Sequence, residues 1–163
     1  MTDVHSKEVR SYNMSKIKGK NTRPEILVRK FLFSCGFRYR LNVKNLSGTP
    51  DIVLPKYHTV IFINGCFWHG HEGCRFFTIP KTRSEWWIDK ISKNKERDQK
   101  KQAELIRQGW EIITIWECEL KSDRRRQTLD KLPFLIKSKQ YVISDVQHRQ
   151  VAEPDFCYEK RQH

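Results

Sequence analysis

The chain has 163 residues, of which 37% are hydrophobic; that suffices for one domain with its own core, and the clustering of apolar runs excludes wholesale disorder. A net charge of +13 points to a polyanionic partner, with nucleic acid the default, because each phosphate contact releases counterions. No apolar run approaches the ~18 residues of a membrane span, the polar Met1–Arg10 segment does not read as a secretory signal, and five cysteines, an odd count, point to a reducing cytosol and to metal rather than disulfides.

Residues 1–20 read as a basic arm (Lys7, Arg10, Lys16, Lys18, Lys20) with few apolar points, Val9, Met14 and Ile17 among them. Such an arm is expected to order on a partner. Thr22-Arg23-Pro24-Glu25 has the form of a capping box with proline in the first turn, so a helix is expected to about Cys35, stopped by Gly36. Ile26, Leu27, Phe31, Leu32 and Cys35 would form its buried face. Phe37 to Val43 alternates like a strand, and the chain then turns through residues 45–50. Residues 51–54 and 59–63 read as two strands in a hairpin around Pro55–His58. A Cys- and His-rich loop follows, then a helix over 84–108, a strand over 110–117 and a helix over 124–138. The order αβββαβα predicts an α/β domain over residues 21–140, a mixed central sheet flanked by helices on both faces. Residues 141–163 form a tail of uncertain structure.

The loop Cys66-Phe67-Trp68-His69-Gly70-His71-Glu72-Gly73-Cys74 places two thiols and two imidazoles within nine residues. That donor set suits zinc, and Cys118, at the end of the last strand, would complete a tetrahedral Cys3His site with Cys66, His71 and Cys74. Spacing alone does not choose between His69 and His71. The competing reading is buried free thiols and surface histidines. Cys35 is expected to be an ordinary buried cysteine, and Cys157 a tail cysteine.

Asp51 opens a predicted strand, where a carboxylate is disfavoured unless it caps or binds something. The end of the next strand, Val60–Asn64, would lie beside it. Glu25 offers a second carboxylate, although its capping-box role with Thr22 explains it equally well. Lys90, Lys93, Arg97, Lys100 and Lys101 share one face of the long helix, a stripe suited to phosphate. Of Trp86 and Trp87, one is expected to face the core and the other to be free for stacking.

Together these residues resemble the very-short-patch-repair (Vsr) DNA mismatch endonucleases. The resemblance is carried by Asn13-Met14-Ser15-Lys16-Ile17, Thr22–Glu25, Gly48–Asp51, Val60–Trp68, Thr82–Trp87, Lys90–Asp98, Gly109-Trp110 and Trp116-Glu117-Cys118, and it spans about residues 1–120. It implies a restriction-endonuclease-like core that nicks one strand beside a T:G mismatch, the product of 5-methylcytosine deamination. Asp51 would be the principal magnesium ligand and the Ile63 carbonyl the second. His69 would be the general base or proton shuttle, and Glu25 a supporting carboxylate. Cys66, His71, Cys74 and Cys118 would hold a structural zinc. Phe67, Trp68 and Trp87 would wedge into the stack, Met14 would press from the minor groove, and Lys90 and Asn94 would touch the mismatched pair. The implied setting is the bacterial cytosol at the nucleoid, with a monomer acting on duplex DNA alongside mismatch-repair proteins and a cytosine-5 methyltransferase.

Two departures stand out. Asn64 occupies the place of a family histidine; it cannot transfer a proton, but it can donate a hydrogen bond to phosphate, so more of the proton transfer falls to His69. The Cys66–Cys74 spacing is one residue longer than in some relatives, with Gly70 and Gly73 relaxing the loop. The alternatives are a sequence-specific nicking or restriction endonuclease of the same fold, and a non-catalytic zinc-stabilised DNA-binding protein. An HNH-type nuclease would leave Asp51 without a role.

Overall fold

The computed structural model describes residues 6–149. Its elements are α1 (Lys7–Ser15), α2 (Arg23–Ser34), β1 (Ile52–Leu54), β2 (Thr59–Asn64), α3 (Ser84–Arg107), β3 (Glu111–Trp116) and α4 (Ser122–Arg149), with 3-10 turns at Pro55–Tyr57 and Glu117–Leu120. The expected α/β class holds: one mixed sheet in the order β1-β2-β3, with β1 and β2 antiparallel and β2 and β3 parallel. A parallel pair needs a long crossover, and α3 supplies it.

Alternation along the strands feeds two apolar layers. Ile52, Leu54, Ile61 and Ile115 pack with Val28 and Leu32 of α2 and Leu132 and Ile136 of α4. On the other side, Val53 and Val60 pack with Leu105 of α3, and Trp110 and Ile112 close the layer. The sheet is therefore covered on both sides, and the C-terminal ends of β2 and β3, in parallel register from Thr59↔Glu111 to Asn64↔Trp116, emerge side by side.

Four details differ from the sequence expectation. The arm contains a helix, α1, whose N-terminus is capped by the Ser6 hydroxyl accepting from the Val9 N–H at 3.3 Å. No strand forms over 37–43. Asn42 sits in the left-handed region at φ 46°, which breaks the extension, and only Arg40 bridges Val53, through reciprocal 2.8 Å bonds. The buried face of α2 is Glu25, Val28, Arg29 and Leu32, while Ile26 and Cys35 are exposed. A paired carboxylate and guanidinium have taken positions that hydrophobicity alone assigns to apolar residues. Finally, α4 runs on past residue 138, carrying Pro133 within it. Cys157 lies outside the described residues.

Candidate active site and metal centre

The hairpin puts Asp51 where the sequence pattern places it. The turn at Pro55–Tyr57 fixes Ile52 opposite Ile61, so the residue before β1 faces the far end of β2. There the Ile63 N–H donates to Asp51 Oδ2 at 2.8 Å. Burial pushes the Asp51 carboxyl up to about 6, against the opposing effect of that N–H bond; the nearby Glu25 charge adds to the rise. Asn64, next along β2, is 8% exposed.

Asp51 lies in a groove of about 800 Å3 that Glu25, Ile63, Asn64, Trp68 and His69 also line. His69 Nδ1 is 2.6 Å from Asp98 Oδ2 on α3, so Nε2 is the nitrogen left for proton transfer. Both Glu25 oxygens are engaged. Oε1 accepts from the Thr22 hydroxyl at 2.9 Å, and Oε2 accepts from the Asn21 N–H at 3.0 Å and from Arg29 Nη2 at 2.7 Å. Thr22 does cap α2, but the expected capping box is incomplete, because Glu25 takes the Asn21 N–H rather than that of Thr22, and a buried ion pair with Arg29 is added.

The metal centre follows from the parallel register. Cys66 comes two residues after Asn64 and Cys118 two after Trp116, so pairing Asn64 with Trp116 brings both thiols together. The loop then folds back, with the His71 N–H donating to the Cys66 carbonyl at 2.9 Å and the Cys74 N–H to that of His71 at 3.3 Å. The four ligand atoms of Cys66, His71, Cys74 and Cys118 lie within 4.8 Å of one another. His71 stacks on Trp116, its ring centroid 4.0 Å away and its plane 2° off parallel, with Nδ1 3.5 Å from Cys118 Sγ. Geometry therefore separates the histidines that spacing could not: His71 joins the thiols and His69 joins Asp98.

The donor set fits a closed metal site. Burial raises the Cys66 thiol to about 12 and raises Cys118 as well, whereas a backbone hydrogen bond from Phe76 lowers Cys74. Buried thiols without a cation stay protonated, and a bound cation converts them to thiolates.

Phe67, Trp68 and Trp87 come together as one aromatic cluster, with centroids 5.2 Å (Phe67–Trp68), 5.1 Å (Phe67–Trp87) and 6.0 Å (Trp68–Trp87) apart. Trp87 is half-buried, and Trp86 is the exposed member of the pair, with Lys90 Nζ 5.1 Å from its ring. Asn94 is tied into this assembly: its Nδ2 donates to the Trp68 carbonyl at 3.1 Å and its Oδ1 accepts from Arg97 at 2.6 Å. The metal loop is docked on α3, through an ion pair between Glu72 and Lys95 and through Gly70, where an added Cβ would meet Ile91 Cγ2 at 2.8 Å. Met14 is exposed on α1. Lys93 of the basic stripe is paired with Asp89 at 2.8 Å.

Sequence reasoning did not single out Asp98, Arg29 or Trp116. Asp98 is 29 residues from His69, and only the docking of α3 joins them. Trp116 adjoins a ligand strand, which was the one available signal.

Residues 2–75 match the family model described as DNA mismatch endonuclease Vsr. The chain is 52% identical over 138 residues to a type II nicking enzyme, V.NmeAIP, of Neisseria meningitidis serogroup A, covering 84% of this chain and 98% of that one. It is 52% identical over 120 residues to the type II nicking enzyme V.XorIIP of Xanthomonas oryzae, covering 74% and 88%. It is 42% identical over 121 residues to the DNA mismatch endonuclease Vsr of Escherichia coli, covering 74% and 77%.

Proposed function

The chain belongs to the Vsr family of DNA mismatch endonucleases and is a nuclease acting on DNA, and from that premise we propose that it nicks one strand of a duplex beside a T:G mismatch, with magnesium at Asp51 and a structural zinc behind the recognition loop. The observation that carries the reading is one groove holding both Asp51, fixed by the Ile63 N–H, and His69, fixed by Asp98. The core is of the restriction-endonuclease kind, with the arm at 1–20, the catalytic domain at 21–140 and the tail beyond.

When bound at Asp51 and the Ile63 carbonyl, magnesium supplies charge compensation at the cleaved phosphate. Asp51 holds the hard oxygen that such a cation prefers. Asp98 orients His69, whose Nε2 accepts a proton from the attacking water. Asn64 donates a hydrogen bond to phosphate in place of a second proton carrier. Glu25, with both oxygens engaged, supports the site by fixing its wall rather than by binding the cation.

Cys66, His71, Cys74 and Cys118 hold the zinc and so stiffen the loop that displays Phe67 and Trp68. With Trp87 these enter the base stack at the mismatch, where a wobble pair is already poorly stacked and opening costs less. Met14 presses from the minor groove and Lys90 meets the pair from the major groove. Asn94 acts there by holding the Trp68 main chain. The chain works as a monomer in bacterial short-patch repair, alongside mismatch-repair proteins and a cytosine-5 methyltransferase.

The two relatives at 52% identity are type II nicking enzymes, and a second reading is a sequence-specific nicking enzyme of the same fold, which would cut a perfectly paired duplex. Two end-labelled duplexes, identical except for one T:G pair, separate the two on a denaturing gel. A nick beside the mismatch in that duplex alone is expected. Equal cutting of the paired duplex would favour the second reading, and no cutting of either would overturn both.

A further inference from the structure

Four lysines, Lys18, Lys20, Lys44 and Lys101, line the same groove as Asp51, and they come from three segments of the chain. Lys44 belongs to the loop that Asn42 turns at φ 46°, and Lys101 to α3. The loop that carries Lys44 rests on α3 at Gly48, where an added Cβ would lie 3.3 Å from Lys101 Cβ and 3.3 Å from the Phe62 ring. A side chain there would crowd Lys101 and Phe62, and the φ of 77° is a second reason for glycine.

Lys18 and Lys20 belong to the segment joining α1 to α2. That segment is held from below. Asn21 donates its N–H to Glu25 Oε2 at 3.0 Å and accepts at Oδ1 from Arg29 Nη1 at 2.6 Å. Glu25 and Arg29 are themselves 4% and 7% exposed, so the anchor is a buried ion pair rather than a surface contact.

The groove also holds four carboxylates, Glu25, Asp51, Asp98 and Glu117. Arg29 answers Glu25, and Asp98 is hydrogen-bonded to the His69 ring, but Asp51, Asp98 and Glu117 repel a polyanion at the place where cleavage requires one. The four lysines have no ion-pair or hydrogen-bond partner among the described residues, whereas Lys93 and Lys95 elsewhere on α3 are paired with Asp89 and Glu72. Unpaired cations from separate segments, lining one groove with those carboxylates, suit a phosphate chain that runs along it.

We propose that Lys44 and Lys101, with Lys18 and Lys20 of the segment joining α1 to α2, clamp the phosphates that flank the bond that is cut. The clamp deepens the nuclease reading above and takes its ligand, duplex DNA, from it. Trp68 of the aromatic cluster lines the same groove, but the four lysines are assigned to the phosphates, so they contribute affinity and placement without reading bases.

The test uses the full chain, a Lys44→Gln/Lys101→Gln variant and a Lys18→Gln/Lys20→Gln variant. Fluorescence anisotropy with the T:G duplex and its paired counterpart is followed across a sodium chloride series without magnesium. Each double variant is expected to flatten the slope of log affinity against log salt by up to about 2, at roughly 0.9 per phosphate contact. The ratio of mismatched to paired affinity should stay unchanged, as should the thermal melt. A wild-type slope in both variants would overturn the clamp, as would lost discrimination at an unchanged slope. A wild-type chain that prefers neither duplex, with slopes still flattened in the variants, would support the clamp and remove the mismatch reading.

Discussion

Asp51 is a carboxylate in surroundings that disfavour its charge. Burial raises it from 3.8 to about 6, so the folded chain binds that proton more tightly than the unfolded chain does. The resulting stabilisation is complete below 3.8 and is lost as pH rises through about 6. Above that pH, without a cation, the ionised group costs at most roughly 3 kcal/mol. Asp51→Asn should therefore melt higher than wild type at pH 8 in magnesium-free buffer, with the gap closing toward pH 4. Added magnesium should raise the wild-type Tm and leave that of the variant alone. A variant that melts lower at pH 8 would contradict this.

Asp98 is the other residue whose role comes from geometry. With its carboxylate 2.6 Å from His69 Nδ1, Asp98→Asn should slow the nicking of bound duplex by about tenfold to a hundredfold while affinity and Tm hold. Unchanged single-turnover rates would show that the pair does not orient the base. Asp51 was legible in the sequence and Asp98 was not, for a physical reason. A short hairpin sets the partner of Asp51 locally, whereas the partner of His69 depends on where a 24-residue helix docks.

At the scale of elements, the metal loop and α3 act as one unit. Gly70 has φ 61°, and a Cβ there would collide with Ile91 and crowd Lys95. Gly70→Ala should destabilise the fold by about 1–3 kcal/mol and weaken mismatch discrimination more than affinity for paired DNA. An equal loss on both duplexes would mean that the loop does not select. The four ligands should retain one zinc per chain at EDTA levels that stop nicking, since the site is closed and the groove is open. Metal analysis showing no zinc in a chain that folds and cuts normally would remove the structural metal.

The Cys66, His71, Cys74 and Cys118 cluster was readable because cysteine and histidine are rare and their spacing is tight; the folded loop then placed His71 rather than His69 beside the thiols. The strand over 37–43 was misread because nothing in its alternation reveals that Asn42 turns left-handed. The face of α2 was misread because Glu25 and Arg29 are buried only as a pair. Charge-pattern rules see each of them as a surface residue.

At the scale of the whole molecule, charge and architecture divide the labour. The net charge of +13 is spread along the chain, while the groove places four lysines beside four carboxylates, so attraction is broad while chemistry is local. The described residues of α1 are exposed, and α1 adds nothing to the two apolar layers. Removing residues 1–16 should leave Tm unchanged and lower affinity for duplex DNA. A fall in Tm would show that the arm belongs to the fold.

The central claim is that cutting resides at Asp51 while selection resides elsewhere. Its most direct measurement is a paired binding and nicking assay of Asp51→Ala on the T:G duplex in magnesium. Binding within a few-fold of wild type with nicking abolished is the expected result. Nicking at the wild-type rate would contradict the account.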